Sequence, residues 1–239
     1  MLISEIYQSR QGEGLLTGTP SVFVRTSGCN LRCGFCDTPF ASWEPVGDQM
    51  SISEIIDKVH LSAKPDDPEN GDSQSRHVVL TGGEPMLQRE VVQLCKEIKS
   101  AGFHITIETA GTIFHQLDCD LMSISPKLSN SDPQQSRAGE WLVKHQSKRH
   151  QPDVVKHLLE TYEYQLKFVV DTPNDLDEII EYLQQVSPED RAKVLLMPQG
   201  TAIEQLTKTE QWLIPVCQQH GFTFCPRKHI EWYGNKRGT

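Results

Sequence analysis

The sequence is short of positive charge. Its 23 Lys and Arg against 32 Asp and Glu leave a formal net charge of −9, which gives no electrostatic footprint for nucleic acid or for an anionic membrane surface. No apolar run is long enough to span a bilayer. The opening residues Met1-Leu2-Ile3-Ser4-Glu5-Ile6 lack a basic start and form too short an apolar stretch for a signal peptide. No solenoid-type repeat is present. The ligand these absences leave is a small molecule or a protein. A chain of 239 residues fits one large domain with a substantial core. We expect that domain to run over residues 1–239, with polar surface insertions near 62–76 and 129–151.

The most informative absence is a fourth cysteine. Cys29, Cys33 and Cys36 share one loop with the spacing Cys-x3-Cys-x2-Cys, and no other cysteine follows nearby. Thiols so crowded make poor disulfide partners for one another, and the total of seven cysteines is odd. A reducing cytoplasm and a metal site follow. Cys95, Cys119, Cys217 and Cys225 stand singly among apolar residues and read as small buried hydrophobes. A cubane [4Fe-4S] cluster normally takes four thiolates, so three would leave one iron open to a ligand or cofactor.

Alternation of apolar and polar residues predicts strands over 2–8 and 21–25, the second leading directly into the cysteine loop. Ser51-Ile52-Ser53-Glu54 is a capping-box start for a helix carrying Ile55, Ile56 and Val59 on one face. Further strands are expected at 77–81, 104–108, 121–125, 165–170 and 193–197, and helices at 88–100, 154–161, 175–185 and 203–220. Lys148-Arg149-His150 reads as a solvated charge cluster. Strands alternating with helices imply a parallel sheet or barrel, an α/β fold whose ligands bind at the carboxyl ends of the strands. The unusual clusters stand at those ends: Gly82-Gly83-Glu84-Pro85, Thr109-Ala110-Gly111, Ser125-Pro126-Lys127 and Pro198-Gln199-Gly200. Near the start, Arg10-Gln11-Gly12-Glu13-Gly14 has two glycines that let backbone approach a ligand closely, an amide that donates and accepts, and a carboxylate that accepts from an N–H edge. Taken alone it reads as a turn. Arg25 suits bidentate pairing with a carboxylate. Thr38 reads as a turn residue before Pro39, Lys167 as a surface lysine, and Glu108 equally as a site, capping or buried-pair residue.

The cysteine loop with Phe35 before Cys36, together with Gly82-Gly83-Glu84 after a strand, resembles the radical S-adenosylmethionine (SAM) superfamily. Gln11-Gly12-Glu13-Gly14, Arg25, Cys36-Asp37-Thr38, Thr81-Gly82-Gly83-Glu84-Pro85, Glu108-Thr109-Ala110-Gly111, Ser125-Pro126-Lys127 and the tail from His229 to Gly238 occur in that order. In this the chain is similar to the 7-carboxy-7-deazaguanine synthases of queuosine and deazapurine biosynthesis, a tRNA modification pathway. The resemblance implies an incomplete (β/α)6-type partial TIM barrel and a homodimer. It also implies conversion of 6-carboxy-5,6,7,8-tetrahydropterin to 7-carboxy-7-deazaguanine with loss of ammonia, a carbon–nitrogen lyase reaction with a [4Fe-4S] cluster, SAM, Mg²⁺ and an electron donor such as flavodoxin or ferredoxin.

Carried over residue by residue, Cys29, Cys33 and Cys36 would hold the cluster and Thr38 the magnesium. Phe35, Cys36, Asp37, Gly83 and Glu84 would surround SAM, joined by Ser125, Pro126 and Lys127. Arg10, Gln11, Gly12, Glu13, Arg25 and Thr81 would contact the substrate, with His229 and Thr239 closing its side. The resemblance gives no side chain an acid–base role, because the cluster and SAM generate a 5′-deoxyadenosyl radical that abstracts hydrogen. Arg227-Lys228, before His229, is more basic than the family pattern. Two other readings compete. A glycyl-radical-enzyme activase would share the cysteine loop but act on a polypeptide, for which Gln11, Glu13 and Arg25 are unsuited. A structural zinc module would need a fourth ligand, for which Asp37 or a distant histidine is awkward.

Overall fold

The computed structural model describes residues 1–64 and 75–239; most of the expected insertion at 62–76 lies outside the described residues. Strand β1 (Leu2–Arg10) pairs antiparallel with β2 (Pro20–Thr26). A short helix α1 (Pro39–Ser42) follows the cysteine loop, and β3 (Asp48–Gln49) pairs with the outer side of β1. From β2 the sheet continues through β4 (His77–Gly82), β5 (His104–Thr109) and β6 (Leu121–Ile124), then β7 (Tyr164–Val170), β8 (Val194–Pro198) and β9 (Thr223–Phe224). All of these ladders are parallel and follow chain order. Stepping always to the adjacent strand is the winding of a barrel. Here β3 and β9 remain as edges, so the sheet is an open, incomplete barrel.

Helices fill the outer layer. Helix α2 (Ile52–Ser62) begins at the expected capping box: Ser51 Oγ accepts from Glu54 N, and Glu54 accepts from Ser51 N. Helix α3 (Val91–Ser100) buries Val91, Leu94, Cys95 and Ile98, the i, i+3, i+4, i+7 stripe of an amphipathic helix. Between β5 and β6 no helix intervenes; Tyr162 staples that crossing by accepting from Leu117 N and donating to His115 O, each at 3.0 Å. Among the described residues no helix is long and apolar enough to cross a membrane.

The polar segment 129–151 holds α4 (Gln135–Ala138) and α5 (Trp141–Arg149), with most of its side chains at the surface. His145 on α5 is fully buried. Arg149 is no free charge either, since its Nε reaches Asp132 at 3.0 Å and its Nη1 reaches Glu178 at 3.3 Å. The chain then runs through α6 (Pro152–Thr161), α7 (Asp175–Val186) and α8 (Ile203–His220), the last closed by Gly221 at φ +72°. A final helix α9 (Lys228–Tyr233), absent from the sequence reading, leads into the tail.

The strands are two-faced. Val22, Val24, Val78, Leu80, Ile105 and Ile107 point outward into the helix layer and belong to one core. Their alternate neighbours Phe23, Arg25, Thr81 and Glu108 point inward and line a cavity. At the amino-terminal end of the same inner face, His77 sits between two hydroxyls, Ser21 Oγ on Nδ1 at 2.7 Å and Thr106 Oγ1 on Nε2 at 2.8 Å. Burial, with His104 beside it, pushes His77 down from 6.5 to about 4. The unfolded chain therefore binds a proton that the folded one refuses across that window, so the His77 contribution is complete above about 6.5 and is lost as pH falls toward about 4. Urea unfolding measured against pH should show stability falling in that interval, and His77→Gln should flatten the slope by up to about one proton. An unchanged slope in the variant would exclude His77 as its source.

Candidate active site

The cysteine loop is held from both sides. Gly28 N donates to Ala41 O at 2.8 Å, and Gly34 N donates to Ser131 O at 2.9 Å. Behind it, His145 Nδ1 accepts from Arg32 N at 3.1 Å, leaving Nε2–H for Ser131 Oγ at 3.1 Å. Trp43 Nε1 donates to Cys33 O at 3.0 Å, and Arg137 stacks on that indole at 4.0 Å. The 129–151 segment is thus a buttress for the three thiols. Cys36 Sγ lies 3.1 Å from Ser42 Oγ and 3.8 Å from Thr38 Oγ1.

Cys29, Cys33 and Cys36 open together onto a cavity of about 490 Å³. Phe35, Asp37, Thr38, Gly83, Ser125 and Lys127 line it with them. Arg10, Gln11, Gly12, Glu13, Arg25 and Thr81 line it as well, and the tail contributes His229 and Thr239. Two expected contacts are not in this lining: Glu84 and Pro126. The Glu84 carboxylate is fully buried and turned to the protein, accepting from Met86 N at 3.0 Å, Thr109 Oγ1 at 2.8 Å and Ala110 N at 2.8 Å.

The glycines also serve another purpose than the one expected. A Cβ on Gly83 would sit 2.6 Å from Ala41 O, and one on Gly82, at φ +135°, would sit 2.6 Å from Thr26 N. On Gly12 it would fall 2.6 Å from His229 Nδ1. These positions are bare so that protein segments can approach each other, and the ligand approach follows from that packing.

Several charges within the cavity are paired. Lys167, expected on the surface, is 5% exposed and ion-paired with Glu13. Arg227 reaches both Glu13, at 3.3 Å, and Asp37, and His229 Nδ1 is 3.8 Å from Glu13. Burial acts to raise the Glu13 carboxyl, but Lys167, Arg227 and His229 outweigh it and hold the group well below the usual carboxylate range. Glu13 is therefore an anion at any neutral pH. Arg25 Nε donates to Glu5 at 2.7 Å and its Nη2 to Tyr7 Oη at 2.9 Å, while Nη1 has no partner among the described residues. Glu108 is a positioning residue: it accepts from Gln11 Nε2 at 3.0 Å and from Thr81 Oγ1 at 2.8 Å.

Sequence reading missed Glu5, Tyr7, Lys167 and Arg227. Lys167 carried a usable signal, because it alternates with Leu166 and Phe168, both fully buried, on a parallel strand. A polar residue in that phase faces the barrel interior.

The donor set fits an iron–sulfur cluster. Burial raises the Cys29 and Cys33 thiols to about 12, and such thiols ionise only beside a strong positive centre. Among the described residues no three His, Cys, Asp or Glu side chains converge as ligands of a single ion would.

Residues 23–162 match the model of the Radical SAM superfamily, and the chain belongs to that superfamily. It is 47% identical over 240 residues to the 7-carboxy-7-deazaguanine synthase of Rhodopirellula baltica, covering 100% of this chain and 89% of that protein. Against the 7-carboxy-7-deazaguanine synthase of Halobacterium salinarum it is 40% identical over 237 residues, covering 95% and 88%. Within the superfamily it is therefore a member of the 7-carboxy-7-deazaguanine synthase family. The crystal structure of QueE from Escherichia coli shares the fold with a TM-score of 0.64 at 22% identity, covering 95% of this chain and 94% of that one.

Lys167→Met should cost about 2 kcal/mol in urea unfolding, since it leaves the buried Glu13 anion short of a partner. Adding Glu13→Gln should return part of that loss. Additive effects would show that the two side chains are not coupled.

Proposed function

We propose that this cavity carries out the radical ring contraction of 6-carboxy-5,6,7,8-tetrahydropterin, with SAM on the cysteine-loop side and the pterin on the β1–β2 side. The enzyme is a lyase of the 7-carboxy-7-deazaguanine synthase family. The observation that supports this reading is that one cavity is lined by the three thiols and Lys127 together with Gln11, Glu13, Arg25 and Thr81.

When bound, a cluster held by Cys29, Cys33 and Cys36 together with SAM would supply one-electron bond cleavage and hydrogen abstraction. The protein supplies binding, orientation and exclusion of water. Glu13, kept ionised, would accept from the N–H edge of the pterin. Arg25, steered by Glu5 and Tyr7, presents its remaining Nη1 edge for the substrate carboxylate. Glu108 would keep Gln11 and Thr81 at fixed positions beside the ring. Lys127 Nζ, bonded to Ser125 O at 2.9 Å and Oγ at 2.8 Å, would offer its positive charge to the SAM carboxylate.

Thr38 would give magnesium one hydroxyl ligand, with substrate oxygens and water completing the octahedron such an ion requires. The family brings a small-molecule substrate and an external reductant. Flavodoxin or ferredoxin in that role, and assembly as a homodimer, belong to the same proposal.

Anaerobic incubation of the reconstituted protein with SAM, reductant and 6-carboxytetrahydropterin should yield 7-carboxy-7-deazaguanine. Cleavage of SAM with no deazaguanine would overturn the substrate reading. Thr38→Ala should shift the magnesium titration of turnover to higher concentration by about tenfold, as loss of one charge-assisted contact does; an unshifted titration would remove Thr38 from the metal site.

A further inference from the structure

Arg227 and Lys228 are neighbours in sequence with different surroundings. Lys228 opens α9 and pairs with Glu231 at 2.8 Å near the surface. Arg227 is 7% exposed, and its guanidinium is committed in three directions. Nη1 donates to Gly200 O at 2.5 Å, Nε to Glu13 Oε1 at 3.3 Å, and Nη2 to Asp37 Oδ2.

One planar group thus joins the loop after β8, the loop after β1 and the residue immediately following Cys36. Charge balance does not call for it at Glu13, which already has Lys167 and His229. Asp37, by contrast, has no other ion pair among the described residues. Burying a guanidinium is costly unless its geometry is used, and the rigid, planar arginine fork holds its acceptors in fixed directions, which a lysine's rotatable donors do not.

We propose that Arg227 is a positioning residue that sets the cofactor-side loop, through Asp37, and the substrate-side loop, through Glu13, at a fixed separation across the cavity. This rests on the reading that SAM lies against Asp37 and the pterin against Glu13. A radical step between two bound molecules is sensitive to their separation, and Arg227 touches both Asp37 and Glu13.

The test uses reconstituted Arg227→Lys, Arg227→Gln, Asp37→Asn and Glu13→Gln proteins. Iron and sulfide content is measured first, then equilibrium binding of SAM and of 6-carboxytetrahydropterin without reductant, then turnover. Arg227→Lys keeps the buried charge but not the fork, so it decides the matter should Arg227→Gln fail to fold.

Cluster content should stay at the wild-type level, both ligands should bind about tenfold more weakly in the Arg227 variants, and kcat should fall about a hundredfold. Asp37→Asn should move SAM affinity alone and Glu13→Gln substrate affinity alone. An Arg227 variant with full cluster content that binds both ligands as wild type does, or that weakens only one of them, overturns the proposal. If wild-type protein binds no carboxytetrahydropterin, the substrate reading has failed, and SAM affinity in Arg227→Lys then decides: about tenfold weaker sustains the positioning role and an unchanged affinity ends it.

Discussion

Each parallel strand of this sheet must satisfy two environments at once, and the site depends on that. The outward set, such as Val78 and Leu80 on β4 or Leu166 and Phe168 on β7, is fully buried under helices. Each such side chain stabilises the fold by roughly 1.5–3 kcal/mol. The inward set shares the same backbone and alternates with the first. Slipping a strand by one residue would place Lys167 in the helix layer and Phe168 in the cavity, so the core holds the register firmly. The positions of Arg25, Thr81, Glu108 and Lys167 around the cavity are inherited from apolar packing on the far side of the strands.

Charges turned inward then need partners, because an unpaired ion in such a place is expensive. Each acid of the lining meets that need differently. Glu5 takes Arg25 from within and Arg237 of the tail from outside, at 2.7 and 2.8 Å. Glu13 takes Lys167, Arg227 and His229. Glu108 takes neutral donors, which leaves its negative charge uncancelled by direct contact. The result is a cavity whose polar groups are oriented by one another, the condition under which electrostatic and positioning effects need little reorganisation.

Much of this was legible in the sequence. The cysteine spacing, the glycine-containing strand ends and the capping box at Ser51 are local signals, and locally read they point to the strands, the helix starts and the cysteine loop that lines the cavity. What was not legible was tertiary. His145 and Arg149 look like parts of a polar run until Ser131, Arg32 and Glu178 are brought to them from elsewhere in the chain. Lys167 was judged by residue type, when its phase against Leu166 and Phe168 was the better guide. Arg227 registered only as excess basicity in the tail, since its partners, Asp37 and Glu13, are brought to it only by the closing of the fold.

The Gly82-Gly83-Glu84 turn serves the fold as well as the cavity it lines. Reading it as a ligand cradle treats Gly83 and Glu84 as cofactor contacts. In the fold, Gly82 has the positive φ that turns the chain against Thr26, and Gly83 lies where a Cβ would strike the carbonyl of Ala41, so both glycines clamp the β4 end onto the cysteine loop. Glu84 then ties that end to β5 through Thr109 and Ala110. The cavity-facing backbone at Gly83 is thereby fixed relative to the thiols on one side and to the next strand end on the other. Replacing Glu84 by glutamine would keep one oxygen for Met86 N and Thr109 Oγ1 but turn an amide nitrogen, which cannot accept, toward Ala110 N. The turn is built to hold a distance between loops, and a cofactor lodged against Gly83 would depend on that distance as much as on any side chain it touches.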